Sequence, residues 1–234
     1  QKFFDGKGFK NVDVEIEQKD DPAHEGEVIV DINIDKNQKT KIHRITFEGN
    51  SALTARDLKK AMKKTNEKFS FYNDWKTSIL EMFSTKKFTT EEYENDKNNV
   101  IAKYNEHGYR DAVLLSDSVW NYNEKKVDIH LKVEEGQKYY LKDIRFVGNT
   151  KYATDYLMAV LGMKPGEVYN QKKLNKRLST DDDAVSNIYF NNGYLFFNAD
   201  PVETDVKGDS ISLEIRIQEG PQASINKVII KGND

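Results

Sequence analysis

The chain has 234 residues, 37% of them hydrophobic and 32% charged, with a formal net charge of −3 and no cysteine. That length has room for two or three small domains, and the polar balance suits small domains in series, which carry much surface per volume. The weak charge excludes a strong electrostatic draw on nucleic acid, and the missing cysteines exclude disulfides and thiolate metal sites. No apolar run is long enough to span a bilayer, and no basic-plus-apolar leader opens the chain. The opening Gln1 to Gly6 reads as a helix tail and the last residues stop inside a repeat, so the chain is expected to be a fragment of a longer protein.

After the helix tail, Val12, Val14 and Ile16 alternate and pair with Val28, Val30, Ile32 and Ile34 as a hairpin. A strand over Ile42 to Phe47 ends at Gly49-Asn50, residues that tolerate the positive φ of a tight turn. Thr54 and Asp57 then stand like a capping box, with Leu58, Ala61 and Met62 on one helical face. A segment rich in aromatics and lysine follows, with Trp75, Ile79, Met82 and Phe83 at helical spacing. Thr89 and Glu92 open a second helix striped by Tyr93, Val100 and Tyr104, and Gly108 ends it. Val113, Leu115 and Val119 form a strand, Asn121 to Glu124 a turn, and Val127, Ile129, Leu131 and Val133 the returning strand.

The order then repeats. Ile45 to Asn50 recurs as Ile144 to Asn149 and as Val228 to Asn233; Gly8-Phe9 recurs as Gly108-Tyr109 and Gly193-Tyr194; Glu135-Gly136 recurs as Glu219-Gly220. The intervals agree across signatures, 99 or 100 residues and then 84 or 85, so the chain is a tandem array. In the second copy Thr154 is the expected N-cap, and Leu157, Val160 and Leu161 share a face before Gly162. Leu178, Val185 and Tyr189 stripe one following helix, with Asp181-Asp182-Asp183 on its solvated side. Leu195, Phe197 and Ala199 lead to a turn at Lys207-Gly208-Asp209, and Ile211, Leu213, Ile215 and Ile217 return.

Chemistry-bearing clusters are sparse. The four histidines lack metal-ligand spacing, the three aspartates lack the alternation and glycine of a calcium loop, and Gly6-Lys7-Gly8 lacks the helix and Lys-Ser/Thr pair of a phosphate loop. No nucleophile motif frames the serines. The expectation is a binding protein, not an enzyme, with no catalytic, metal or cofactor-binding residues. The inter-helix insertion has two readings. It lengthens and buries helix ends, or Phe71, Trp75 and Phe83 form a partner patch.

The β-α-α-β-β order, the strand ending in Gly-Asn, the helix ending in Asn192-Gly193-Tyr194 and the Glu-Gly joint resemble POTRA domains. More closely, they resemble the periplasmic arm of BamA-type outer-membrane β-barrel assembly proteins. His107-Gly108-Tyr109-Arg110-Asp111 matches the same pattern. Asp35-Lys36-Asn37 departs from the Glu-Gly joint, and the insertion at 69–88 departs from the shortest members.

The resemblance implies an α+β fold of tandem POTRA-like units, each a three-stranded mixed sheet backed by two helices, arranged as an elongated rod. Residues 1–38 are the C-terminal part of one unit, 39–136 a complete unit with the insertion, 137–220 a second complete unit, and 221–234 the first strand of another. It implies an arm in the periplasm of a Gram-negative bacterium, joined to a membrane β-barrel of the same chain beyond residue 234. The implied partners are unfolded outer-membrane protein clients and accessory lipoproteins, with no cofactor.

Such a sheet leaves edges unpaired, and an unpaired edge accepts an extended chain through main-chain bonds that need no particular sequence. In the family the hairpin's first strand is the edge, which implies Asp111, Val113, Leu115, Asp117 and Val119 as one partner-binding strand. Tyr194 to Val202 is the other; Pro201 lacks a donor and weakens pairing there, so the first edge is favoured. Secretion transporters and division proteins also carry POTRA units, usually fewer. A KH-type nucleic-acid module would need a Gly-x-x-Gly loop and a basic surface, and the chain has neither.

Overall fold

The computed structural model describes residues 2–9, 11–24, 26–36, 39–67, 87–224 and 227–228. The chain divides into two compact units, Gln1–Lys103 with Val113–Glu135, and Tyr104–Ala112 with Gly136–Asp234.

The first unit begins with α1 (Lys2–Asp5) and a hairpin of β1 (Asp13–Asp20) and β2 (Val28–Asp35), exposed along its whole length. Next come β3 (Lys41–Glu48), α2 (Ala55–Ala61), α3 (Thr90–Glu106), β4 (Val113–Asn123) and β5 (Lys126–Glu134). The sheet order is β3-β5-β4, with β3 parallel and β4 antiparallel to the central β5. On β5 the alternation is strict: Val127, Ile129, Leu131 and Val133 are buried, while Asp128, His130 and Lys132 are half-buried. One face therefore meets the helices through Leu58, Met62, Tyr93 and Val100, all buried, and the other stays open. Thr54 caps α2, accepting from the Asp57 amide, and Thr89 caps α3, accepting from the Glu92 amide.

The second unit repeats the plan with β6 (Tyr140–Val147), α4 (Thr154–Leu161), α5 (Gln171–Asn175), a π-helical turn (Lys176–Thr180), α6 (Val185–Phe190), β7 (Asn198–Lys207) and β8 (Ser210–Gln218). Its sheet order, β6-β8-β7, has the same directions. Leu157, Leu161, Leu174, Tyr189, Ile211 and Ile215 lie in one core. Burying such side chains stabilises by about 1.5–3 kcal/mol each.

The structure explains why the repeated signatures travel together. Gly49 and Gly148 adopt φ of +84° and +93°, and a Cβ on either would stand 2.1 Å from the Val133 carbonyl oxygen or 2.4 Å from that of Ile217. Only glycine fits where the first strand turns against the end of the central strand. The next asparagine holds the turn, Asn50 donating to the Leu53 carbonyl at 3.0 Å and Asn149 to that of Tyr152 at 2.9 Å. The glutamate of each Glu-Gly pair then receives the amides beyond it. Glu135 accepts from Ala52, and Glu219 accepts from Thr150 and Lys151 and from the Tyr189 hydroxyl. Burial opposes ionisation of Glu219, but a bond from the Thr150 hydroxyl, and then these bonds, hold its carboxyl below its ordinary range.

Four local expectations are corrected. The second helix of the second unit is broken, and Asp181 to Asp183 lie in the break, not on a helical face. Arg177 reaches Asp183 at 2.5 Å and Asp181 at 3.4 Å while donating to the Val160 carbonyl, and Asn187 donates to the Asp181 carbonyl. These bonds replace the helical ladder. Ala153, not Thr154, is the N-cap of α4; the Thr154 hydroxyl oxygen instead accepts from Asn149. Asn121 to Asn123 extend β4, leaving the turn to Glu124-Lys125. Leu195 precedes β7 and is exposed.

Candidate functional site

In each three-stranded sheet the hairpin's first strand is an edge, but so is the unit's opening strand, and the two edges differ. The outer side of β3 is occupied. Lys87 bridges to Lys41, the Phe88 amide donates to the Thr40 carbonyl, and the Ile45 amide donates to the Glu67 carboxylate, which Lys59 also holds at 2.7 Å. In the second unit the stretch 166–169 covers β6: Leu141 donates to Glu167, Gly166 to Leu141, and Tyr169 to Tyr139. Among the described residues β4 pairs only with β5 and β7 only with β8. Every second residue of these antiparallel edges turns its N–H and C=O away from the sheet.

Val113 and Leu115 are exposed on β4, at 47% and 51%. Leu115 sits at a shift of register between Leu114 and Ser116, with no residue opposite it on β5. Val119 is half-buried opposite Ile129. Asp117 has its carboxylate engaged, 2.9 Å from the Tyr93 hydroxyl and 3.3 Å from Lys97 of α3. Burial, and then this carboxylate, push the Tyr93 phenol far above its ordinary value. Asp111 does not belong to the strand. It lies in the turn before β4, where its carboxylate accepts from the Tyr139 hydroxyl at 2.6 Å. Phe71, Trp75 and Phe83 lie outside the described residues.

Sequence reasoning missed two exposed aromatics, Trp120 and Tyr122, because it ended β4 too early. Tyr122 stacks on His43 with ring centroids 3.7 Å apart, and His43 Nδ1 is 2.8 Å from Asp128. It also missed the closure of β3 by Glu67, which no local pattern signals. In the β1–β2 turn one ligand atom each of Asp21, His24 and Glu27 fall within 4.8 Å of one another, but the groups are largely exposed and His24 bonds Asp21.

A sequence profile of the POTRA family, described as "Surface antigen variable number repeat", matches residues 40–136 and 139–220. A relative named "Putative outer membrane protein assembly factor" from Treponema pallidum (strain Nichols) is 27% identical over 97% of this chain and 25% of its own length. "Outer membrane protein assembly factor BamA" of Neisseria meningitidis serogroup B is 24% identical over 98% of this chain and 27% of its own length. The chain thus spans about a quarter of the curated relatives it matches. The fold is that of the crystal structure of Haemophilus influenzae BamA POTRA3-5, with a TM-score of 0.59 at 18% identity, over 83% of this chain and 72% of that one. With the family profile matching twice in tandem over more than half its length, the chain belongs to the POTRA family.

Proposed function

We propose that this chain is the periplasmic arm of an outer-membrane protein assembly machine. It receives unfolded β-barrel clients, and docks accessory lipoproteins, by adding their extended segments to a free sheet edge. In this reading residues 39–136 and 137–220 are complete units flanked by parts of two others, and a membrane β-barrel belongs to the same parent protein. The observation that carries the proposal is the asymmetry of the edges: β3 and β6 have their outer bonds occupied, while β4 and β7 remain unpaired on one side among the described residues. β4 is the better receiver, with eleven residues and no proline, whereas Pro201 removes a donor from β7. Binding through the main chain suits a receiver of many sequences and requires no cofactor.

The test is capture of an unfolded outer-membrane protein by the chain and by its Leu115→Pro and Val113→Pro variants. Leu115 has no residue opposite it on β5, and proline removes its amide donor and disfavours strand pairing at the edge. Capture should fall severalfold in the variants. Equal capture by all three chains would remove edge pairing as the mode.

A further inference from the structure

We propose that the second unit carries a side-chain pocket beside its edge strand that takes a tyrosine from an extended, uncharged segment. This rests on the capture of extended chains proposed above and adds a selectivity to it. A groove of about 190 Å³ opens where the π-helical turn and α6 meet the start of β7. Leu178, Phe190, Phe197, Ala199 and Pro201 supply apolar walls, and among the described residues no charged side chain lines it. It is smaller than the roughly 300–1,000 Å³ of a small-molecule site, which fits one side chain better than a cofactor. Ala199 and Pro201 belong to both groove and edge strand. A segment laid along β7 turns every second side chain toward the helices.

Ser186 gives the groove its chemistry. It lines the groove and is only 5% exposed, and its hydroxyl has no hydrogen-bond partner among the described residues. A buried polar group left unbonded is costly, so an occupant that bonds it gains what an apolar occupant does not. Tyrosine has an apolar body for the walls and a hydroxyl for Ser186. Phenylalanine would fill the walls and leave the serine orphaned, and lysine or glutamate would bury an unpaired charge.

The first unit supplies an internal precedent. Its Tyr93 stands 85 residues before Leu178. It is buried between α3 and β4 and bonds Asp117 of the edge strand. The first unit thus places its own tyrosine between helix and edge, where the second has a leucine and an open groove.

The test uses the whole 234-residue chain and short extended peptides of alternating threonine and valine, with tyrosine, phenylalanine, alanine or lysine at the centre. Anisotropy gives affinities and amide shifts give the location. The tyrosine peptide should bind about fivefold or more tighter than the phenylalanine one, moving amides at Ser186 and Asn198. Ser186→Ala should equalise the two, with unchanged circular dichroism, and Ala199→Trp should fill the groove and abolish the preference. Equal binding of both peptides to the unaltered chain, or a preference that survives Ser186→Ala, would overturn the proposal. Shifts confined to β4 would also overturn it while leaving capture at that edge standing; no binding at either edge would remove both.

Discussion

The two units share one topology and fill the space between second helix and edge strand in different ways. In the first, an unbroken seventeen-residue helix sends Tyr93 and Lys97 onto Asp117, tying the edge strand to the layer behind it. In the second, the helix is broken at Asp181 to Asp183, Pro201 pairs with Ile215 where Asp117 pairs with Leu131 in the first, and a groove with an orphaned serine remains. Identical strand order therefore does not make identical receivers. The first edge offers a long, proline-free main chain held by Tyr93 and Lys97 at Asp117, and the second is held by Tyr169 at Glu203. The second offers a main chain missing a donor, next to a pocket.

The largest effect is expected at the turn glycine that both units share. Gly148→Val should destabilise the second unit by about 3 kcal/mol, and Gly49→Val the first by a similar amount, because a side chain there meets a carbonyl oxygen at positive φ. Denaturant unfolding should show each substitution lowering one transition; unchanged midpoints would contradict the turn. Asp96 is next and belongs to the first unit alone. Fully buried, it accepts from the Lys64 and Thr65 amides and from Asn99, so Asp96→Ala should cost about 2–3 kcal/mol, read as an earlier transition of that unit only. Asp117→Val removes the carboxylate that joins the first unit's edge strand to Tyr93 and Lys97. It should cost about 1 kcal/mol and loosen the tie to α3, seen as faster amide exchange in β4; unaltered exchange would make the tie irrelevant.

The smallest effect is a titration. Tyr93 in the first unit, and Tyr139, Tyr152, Tyr169 and Tyr189 in the second, are phenols held above their ordinary value of 10.0. For Tyr93, Tyr152, Tyr169 and Tyr189 burial is the leading cause, and for Tyr139 the hydrogen bond to Asp111. The unfolded chain then loses these protons first. Their stabilisation is complete below pH 10 and falls as pH rises through the folded values. The second unit should lose stability more steeply above pH 10, and parallel losses in the two units would contradict the assignment.

Periodicity and punctuation made most of the fold legible. Alternation along Val127 to Val133 and Ile211 to Ile217 marked the central strands, because burial on one face and solvent on the other write a period of two. The Gly-Asn and Glu-Gly signatures marked the turns, but not that Glu135 and Glu219 bond the amides after Gly49 and Gly148, since partners more than 65 residues apart leave no local pattern. The break at Asp181 escaped for the same reason: Leu178, Val185 and Tyr189 keep a helical period, and only the reach of Arg177 to the Val160 carbonyl and Asp183 shows where the ladder stops. At the edge, exposed Val113 and Leu115 were readable, whereas the engagement of Asp117 by Tyr93 depends on how the helix packs.

Amide hydrogen exchange across the first sheet, with and without an extended client segment, reads edge capture at β4 strand by strand. Edge capture predicts slower exchange in Val113 to Asn123 of β4, no change in β3, and loss of the slowing in Leu115→Pro. Slowing along β3, or a bound client that leaves β4 unchanged, would contradict it.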